Sequence, residues 1–153
     1  MLASPKFRVY AAFGKPPTPD AKEFAVQVVR MDRSFYVWVG PAQRASQRMD
    51  NLSAALCRAS VPAASAAAAS SPSSAAPAAP AALPSAATIF KGTADDRSVQ
   101  AEGMAQRICK LTGCVVFVSF NLSVGATPDH MLALAVEKVA GDLIKQAVAE
   151  DER

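Results

Sequence analysis

Residues Phe35–Gly40 read FYVWVG, and every residue before the glycine is aromatic or β-branched. These residue types favour a β-strand, in which successive side chains point to opposite faces. Positions 35, 37 and 39 therefore share one face, while Tyr36 and Trp38 share the other. Because both faces are apolar, the fold must cover this predicted strand on both sides.

Two further strands are predicted before this one. Phe24–Met31 (FAVQVVRM) is joined to FYVWVG by Asp32–Ser34, and a three-residue gap between two such runs is typical of a hairpin. Phe7–Phe13 is the first predicted strand. The alternative for this end of the chain is a transit peptide, because the first nineteen residues contain no acidic side chain.

A tract without charged residues interrupts the middle of the chain. Positions 59–87 hold fifteen Ala, seven Ser, five Pro, one Val and one Leu. Proline interrupts any long helix there, and small side chains bury too little area to offset the entropy lost on ordering. We predict a disordered insertion at about 59–87 within a single domain that spans residues 1–153.

The second half of the chain alternates strand and helix patterns. Ala87–Gly92 is a predicted strand, and Val115–Asn121 is the most strand-like run in the sequence. One helix is predicted between them, from the capping residue Thr93 to the stop at Gly113. A second helix is predicted to open at Thr127–Asp129, where a capping threonine precedes a proline and an acidic residue.

The order of these elements predicts an α+β domain with a largely antiparallel sheet of five or six strands. The count depends on residues 51–58 (NLSAALCR), which fit either a helix or a strand. Two helices can cover only one face of such a sheet. The other face is also apolar, which indicates an association surface, here for a second sheet packed about 10 Å away. The alternative is a sheet buried within the chain.

The charge pattern does not favour nucleic-acid binding. The net charge is +3, with nine basic and four acidic side chains in residues 1–58 and seven and nine in residues 88–153. No basic run is interleaved with aromatic residues, and no apolar run approaches the ~20 residues of a membrane helix. We expect no nucleic-acid or membrane partner, although the basic first half suits an acidic protein partner.

The residues that catalysis or metal binding would need are sparse. His130 is the only histidine, the three cysteines form no CxxC pair, and Ser119 lacks a GxSxG context. The glycines form no phosphate-binding loop; most fit turns or helix ends, but Gly103 and Gly141 do not. We expect no enzyme activity, no cofactor and no metal, and reduced thiols of an intracellular protein.

Three segments form one ordered pattern along the chain. They are VVRMDRSFYVWVG with MDNLSAALC, then AQRICKLTGCVVFVSFNL, and then LALAVEKVAGDLI. In this order and spacing they resemble the proteasome assembly chaperone 4 family. The matching elements are Trp38–Gly40, Asn51–Cys57, Ala105–Arg107 and Ser119–Leu122. The Ala/Ser/Pro tract departs from the family, which has a much shorter connection there, but closing a longer loop costs little additional free energy.

The resemblance implies a small α+β fold that pairs sheet to sheet with proteasome assembly chaperone 3. It also implies that this pair binds proteasome α subunits, the fifth among them, and guides assembly of the 20S α ring without catalysis. Residues 51–58 would then be a strand. The implied location is the cytoplasm, with a nuclear pool as a further expectation.

Under this hypothesis one face of the sheet meets the partner chaperone and the other packs beneath the helices, with the reverse assignment as the alternative. A mix of polar and aromatic groups is typical of an interface. The predicted partner-binding residues are Gln27, Val29, Tyr36, Trp38, Phe117 and Ser119. The residues predicted to pack beneath the helices are Val26, Val28, Phe35, Val37, Val39, Val116, Val118 and Phe120.

Arg44 and Arg48 lie in the polar loop that follows the predicted hairpin. We predict that they contact α subunits; the alternative is two solvated arginines, since exposed charges contribute little on their own.

Two other classes of function remain open from the sequence. One is a scaffold or adaptor domain that forms heterodimers and is unrelated to proteasomes. The other is a small thiol-dependent enzyme that uses Cys57, Cys109 or Cys114, which would require a reactive, accessible thiolate.

Overall fold

The structure is a computed structural model, and it describes residues 7–17, 22–43, 49–56, 84–92, 98–122 and 130–150. Six strands and two helices lie within these ranges. The strands are β1 (Arg8–Gly14), β2 (Phe24–Arg30), β3 (Ser34–Pro41), β4 (Asn51–Leu56), β5 (Ser85–Lys91) and β6 (Val115–Phe120). The helices are α1 (Ser98–Thr112) and α2 (His130–Ala149).

The strands form one mixed sheet in the order β1-β2-β3-β6-β4-β5. Strands β3 and β6 are parallel, and the other neighbouring pairs are antiparallel. The last strand in the chain therefore lies at the centre, between a three-stranded meander and the β4–β5 pair. Central strands have neighbours on both edges, which suits the continuous apolar runs of β3 and β6. The predicted α+β fold with a mostly antiparallel sheet is confirmed.

Both helices pack on the same face of the sheet. Helix α1 lies over β4, β5 and β6, and α2 lies over β1 and β2. All eight residues that the sequence placed beneath the helices are buried there, with at most 3% of each exposed. The register explains their alignment, because Val28 faces Val37 and Val37 faces Val118 across three adjacent strands. The prediction of which side chains lie beneath the helices is confirmed.

The bounds of several elements differ slightly from the predictions. Strand β5 begins at Ser85 rather than Ala87, so the last three residues of the predicted insertion belong to the sheet. Residues 51–56 form a strand, which confirms the implication of the resemblance over helical propensity. The predicted strand Phe7–Phe13 is confirmed as β1, one residue further along. Residues 59–83 of the predicted insertion and both predicted helix caps lie outside the described residues.

The cysteines depart from the expectation of reduced thiols. Cys109 is fully buried in α1 and is disulfide-bonded, whereas Cys114 is free. The sequence could not indicate this because disulfide pairing depends on the approach of residues that are distant along the chain. Cys57 lies outside the described residues. A buried, disulfide-bonded Cys109 offers no thiolate, which weakens the thiol-enzyme alternative.

Candidate partner-binding face

The side of the sheet opposite the two helices carries apolar side chains across all six strands. We call this side the open face, because no described helix or strand packs on it. The strand register assigns its residues, since directly paired residues share a face. The residues of the open face include Val9, Ala11, Phe13, Gln27, Val29, Tyr36, Trp38, Leu52, Ala54, Leu56, Phe90, Phe117 and Ser119.

The six residues predicted to bind a partner lie together at the centre of the open face. They form two rows that run across β2, β3 and β6, and each of these strands contributes one residue to each row. The rows are Gln27–Trp38–Ser119 and Val29–Tyr36–Phe117. Five of the six retain accessible surface in this chain. Ser119 is fully buried, so it supports the open face from beneath rather than forming its accessible surface.

Trp38 lies flat along its own strand and occupies the space beside Gly40. A Cβ atom on Gly40 would lie 2.3 Å from both Cη2 and Cζ2 of the Trp38 indole. Residues two apart on a strand point to the same side, so any side chain at position 40 would collide with this ring. The Trp-Val-Gly element is therefore one packing unit, in which the glycine allows the indole to spread over the open face.

Hydrogen bonds hold polar groups both beneath and beside the aromatic residues of the open face. Asn121 Nδ2 donates to Ser119 Oγ over 2.8 Å, and the Tyr36 hydroxyl donates to Met49 Sδ over 3.6 Å. Burial raises the pKa of Tyr36, and a hydrogen bond with the Ser119 hydroxyl lowers it to a smaller extent. Tyr36 therefore presents a neutral, half-buried ring with a polar tip, the kind of residue that interfaces favour.

Two asparagines fix the edge of this surface where β4 begins. Asn51 Nδ2 donates to the Phe120 carbonyl over 2.6 Å, and Asn51 Oδ1 accepts from the Phe120 N–H over 2.8 Å. This buried side chain thus extends the β4–β6 ladder, whose backbone pairs run only from Ser53 to Ala55. The Asp50 N–H donates to Asn121 Oδ1 over 2.8 Å. The Asn-Leu and Ser-aromatic-Asn-Leu motifs therefore meet in space.

Several residues of the open face were not among the predicted contacts. Val9 and Phe13 on one edge strand, and Leu56 and Phe90 near the other edge, are all at least half exposed. The alternation of side chains in the segments RVYAAFG and NLSAAL could have identified Val9, Phe13 and Leu56 as residues of this face. Phe90 could not be found this way, because a bulge between Leu52 and Ser53 shifts the register of β5.

Other predicted site residues lie elsewhere. Arg44 and Arg48 lie outside the described residues, as does the side chain of His130. In the described ranges, no group of three or more His, Cys, Asp or Glu side chains could hold a metal ion. Neither of the two described helices is both long and apolar enough to cross a membrane.

Comparison with known sequences finds a family model that matches residues 23–122, which is well over half of the chain. Its description is Proteasome assembly chaperone 4. A similar curated protein is the mouse Proteasome assembly chaperone 4, which is 30% identical over 110 residues. That match takes in 72% of this chain and 65% of the mouse protein, so the chain spans just under two thirds of that relative.

Comparison with solved structures finds a similar fold in a chain of the "Novel Chaperone Complex for Yeast 20S Proteasome Assembly". The TM-score is 0.53 at 15% sequence identity, and the superposition covers 90% of this chain and 96% of the yeast chain. At this level of identity the likeness concerns the fold. It extends over nearly the whole of both chains.

Proposed function

Since the chain belongs to the proteasome assembly chaperone 4 family, we propose that it promotes assembly of the 20S proteasome α ring as one half of a chaperone heterodimer. In this proposal the open face pairs with the sheet of proteasome assembly chaperone 3. The heterodimer then holds α subunits in the correct order. The function consists of binding and release, with no chemical turnover.

The observation that carries the proposal is the exposed apolar surface of the open face. Val9, Phe13, Leu56 and Phe90 each expose half or more of their surface, and they surround the half-buried Tyr36 and Trp38. Removing apolar surface from water contributes about 25 cal/mol per Å². A contiguous patch of this kind usually marks an association site. A second twisted sheet has the shape that packs best on it.

The composition of the open face supports a heterodimer that must later come apart. Gln27 is exposed in the same row as Trp38, and Tyr36 retains a polar hydroxyl in the next row. Interfaces with polar groups among aromatic anchors are typical of separable complexes, whereas obligate dimers are more uniformly apolar. We propose Gln27, Val29, Tyr36, Trp38 and Phe117 as contacts of the partner chaperone, supported by Ser119.

The contacts with α subunits are proposed to involve Arg44 and Arg48, in the segment between β3 and β4. Basic side chains would steer an acidic subunit surface towards the heterodimer. Charge reversal at both positions should reduce α-subunit capture and leave the partner chaperone bound. Unchanged capture by this double variant would remove these two residues from the proposal. The proposed location is the cytoplasm, with a nuclear pool.

Affinity purification of the tagged chain from its own cells tests the function. We expect a second small chaperone in equal amount, together with proteasome α subunits that lack mature β subunits. Recovery of trafficking proteins without proteasome subunits would instead identify an adaptor. A tagged chain with Trp38→Asp serves as the matched control, because it should lose the second chaperone and remain soluble.

A further inference from the structure

A second apolar depression lies on the other side of the molecule, between α1 and α2. Its volume is about 450 Å³, within the range of pockets that hold ligands or peptide side chains. Met104, Ile108 and Ile144 are buried at its base, while 83% of Leu111 and 37% of Val148 are exposed at its rim. We call this depression the helix groove. It is separated from the open face by the whole thickness of the sheet.

An ion pair spans the helix groove from one helix to the other. The Arg107 guanidinium donates to both carboxylate oxygens of Glu137, from Nε over 3.1 Å and from one terminal nitrogen. This fork-to-fork geometry neutralises Glu137. The other charged residue lining the groove is Lys145, whose side chain is 84% exposed and whose ammonium lies 4.0 Å from the exposed Asp142 carboxylate. So weak an exposed pair leaves Lys145 able to meet an incoming carboxylate.

Gly141 lines the helix groove in the interior of α2. A Cβ atom at this position would meet no other atom within 4 Å. Packing therefore does not require glycine here, although glycine in a helix interior costs about 1 kcal/mol relative to alanine. The missing side chain does have one geometrical effect, since it leaves open a part of the groove that a larger side chain would occupy. Glycine at 141 thus favours access to the groove at the expense of helix stability.

We propose that the helix groove binds a surface segment of a 20S α subunit that presents leucine-like side chains beside a carboxylate. The apolar lining, with Leu111 at its rim, fits the apolar part, and Lys145 complements the carboxylate. This inference rests on the proposed function, because it names where that function holds its substrate. With the open face on the opposite side of the sheet, the partner chaperone and the α subunit can bind at once.

The first test measures binding of individually purified α subunits to the chaperone heterodimer, with this chain carrying either Leu111→Asp or Val99→Asp. Both residues are exposed apolar side chains on α1, but only Leu111 lines the helix groove. We expect Leu111→Asp to weaken α-subunit binding at least tenfold and Val99→Asp to leave it unchanged. Equal affinities for both variants and the wild type would overturn the groove assignment.

The second test separates charge from shape. Lys145→Glu should weaken α-subunit binding, and the difference in affinity from wild type should become smaller at high salt. Lys138→Glu, on the same helix, should leave the affinity unchanged. Gly141→Leu should fill the groove, weakening α-subunit binding without lowering the melting temperature. Wild-type affinity in both Lys145→Glu and Gly141→Leu would overturn the proposal.

Each of these experiments also records the amount of bound partner chaperone. A groove variant that loses α subunits but keeps the partner supports the helix groove as the α-subunit site. If the wild-type heterodimer itself binds no α subunit, the proposed function fails and the inference fails with it. If the wild type binds and all groove variants bind equally, only the inference fails.

Discussion

The indole of Trp38 occupies the space that a side chain at Gly40 would need, with two ring carbons 2.3 Å from the position of a Cβ atom there. Val39, between them, points to the opposite side and is fully buried beneath the helices. Three consecutive residues thus fix both the core side of β3 and the shape of its open side. The partner proposed here would meet an indole whose orientation is set before binding, and preorganisation of this kind favours affinity.

Gly40→Ala should displace the Trp38 ring. The backbone at Gly40 needs no left-handed conformation, so the effect comes from the collision alone. We expect unfolding free energy to fall by about 1–3 kcal/mol, as for other overpacked sites. Because Trp38 is the only tryptophan, its fluorescence should shift to the red as the ring moves into water. The partner chaperone should bind more weakly.

Gly141→Ala is the matched control for this substitution, because a Cβ there meets open space. It should raise helix stability by up to about 1 kcal/mol and leave the tryptophan emission unchanged. Wild-type emission and stability in Gly40→Ala would show that the indole is not held as the structure places it.

Asn51→Ala should destabilise the chain strongly. The substitution leaves both the N–H and the carbonyl of Phe120 without their side-chain partner in a buried site. At about 1–3 kcal/mol for each of these two unsatisfied groups, we expect a loss of roughly 2–6 kcal/mol in urea unfolding. Gln27→Ala removes an exposed amide from the same sheet and should stay within about 0.5 kcal/mol of wild type. Equal stability of the two variants would contradict the bridging role of Asn51.

The two tyrosines should make stability depend on pH at the alkaline end. The pKa of Tyr10 is raised above its ordinary 10.0 chiefly by its hydrogen bond to Glu150, where the hydroxyl donates to Oε2 over 2.7 Å. The pKa of Tyr36 is raised chiefly by burial. A raised pKa means that the folded chain holds the proton more tightly, so this stabilisation is complete below pH 10 and declines as pH rises through the folded pKa.

Absorbance at 295 nm during alkaline titration measures this effect. Both tyrosinates should form above pH 10 in the folded chain and at lower pH in urea. The free energy of unfolding of the Tyr10→Phe variant should fall less between neutral and alkaline pH than that of the wild type. A Tyr10 signal that titrates at the same pH in the folded and unfolded chain would refute the Glu150 contact.

Much of the fold could be predicted because the strand patterns are strong. Alternation in β2 and β3 placed Val28 and Val37 beneath the helices, and both are fully buried. The pattern could not show that β6 lies between β3 and β4, since strand order depends on contacts between distant segments. It also could not distinguish helix from strand in residues 51–58, where alanine and leucine favour helix but the sheet provides two neighbouring strands.

The candidate site was predictable in its centre and less so in its details. Side chains two residues apart on a strand share a face, which placed Tyr36 and Trp38 on one side of the sheet. This alternation can be found without knowing the order of the strands. The burial of Ser119 and the bridging by Asn51 arise from side-chain packing between strands far apart in the sequence. The helix groove could not be predicted at all, because the sequence does not show how α1 and α2 lie beside each other. Gly141 was noticeable only as a glycine that no turn required.

The most direct measurement is the stoichiometry of the species formed when this chain is mixed with its proposed partner, proteasome assembly chaperone 3, with Trp38→Asp compared with Leu134→Asp. Trp38 is at the centre of the open face, and Leu134 is an exposed apolar residue of α2 on the helix side. Light scattering after size exclusion should show a one-to-one heterodimer for wild type and Leu134→Asp. For Trp38→Asp it should show two soluble, folded and separate chains. A heterodimer that forms with Trp38→Asp as it does with wild type would contradict pairing through the open face.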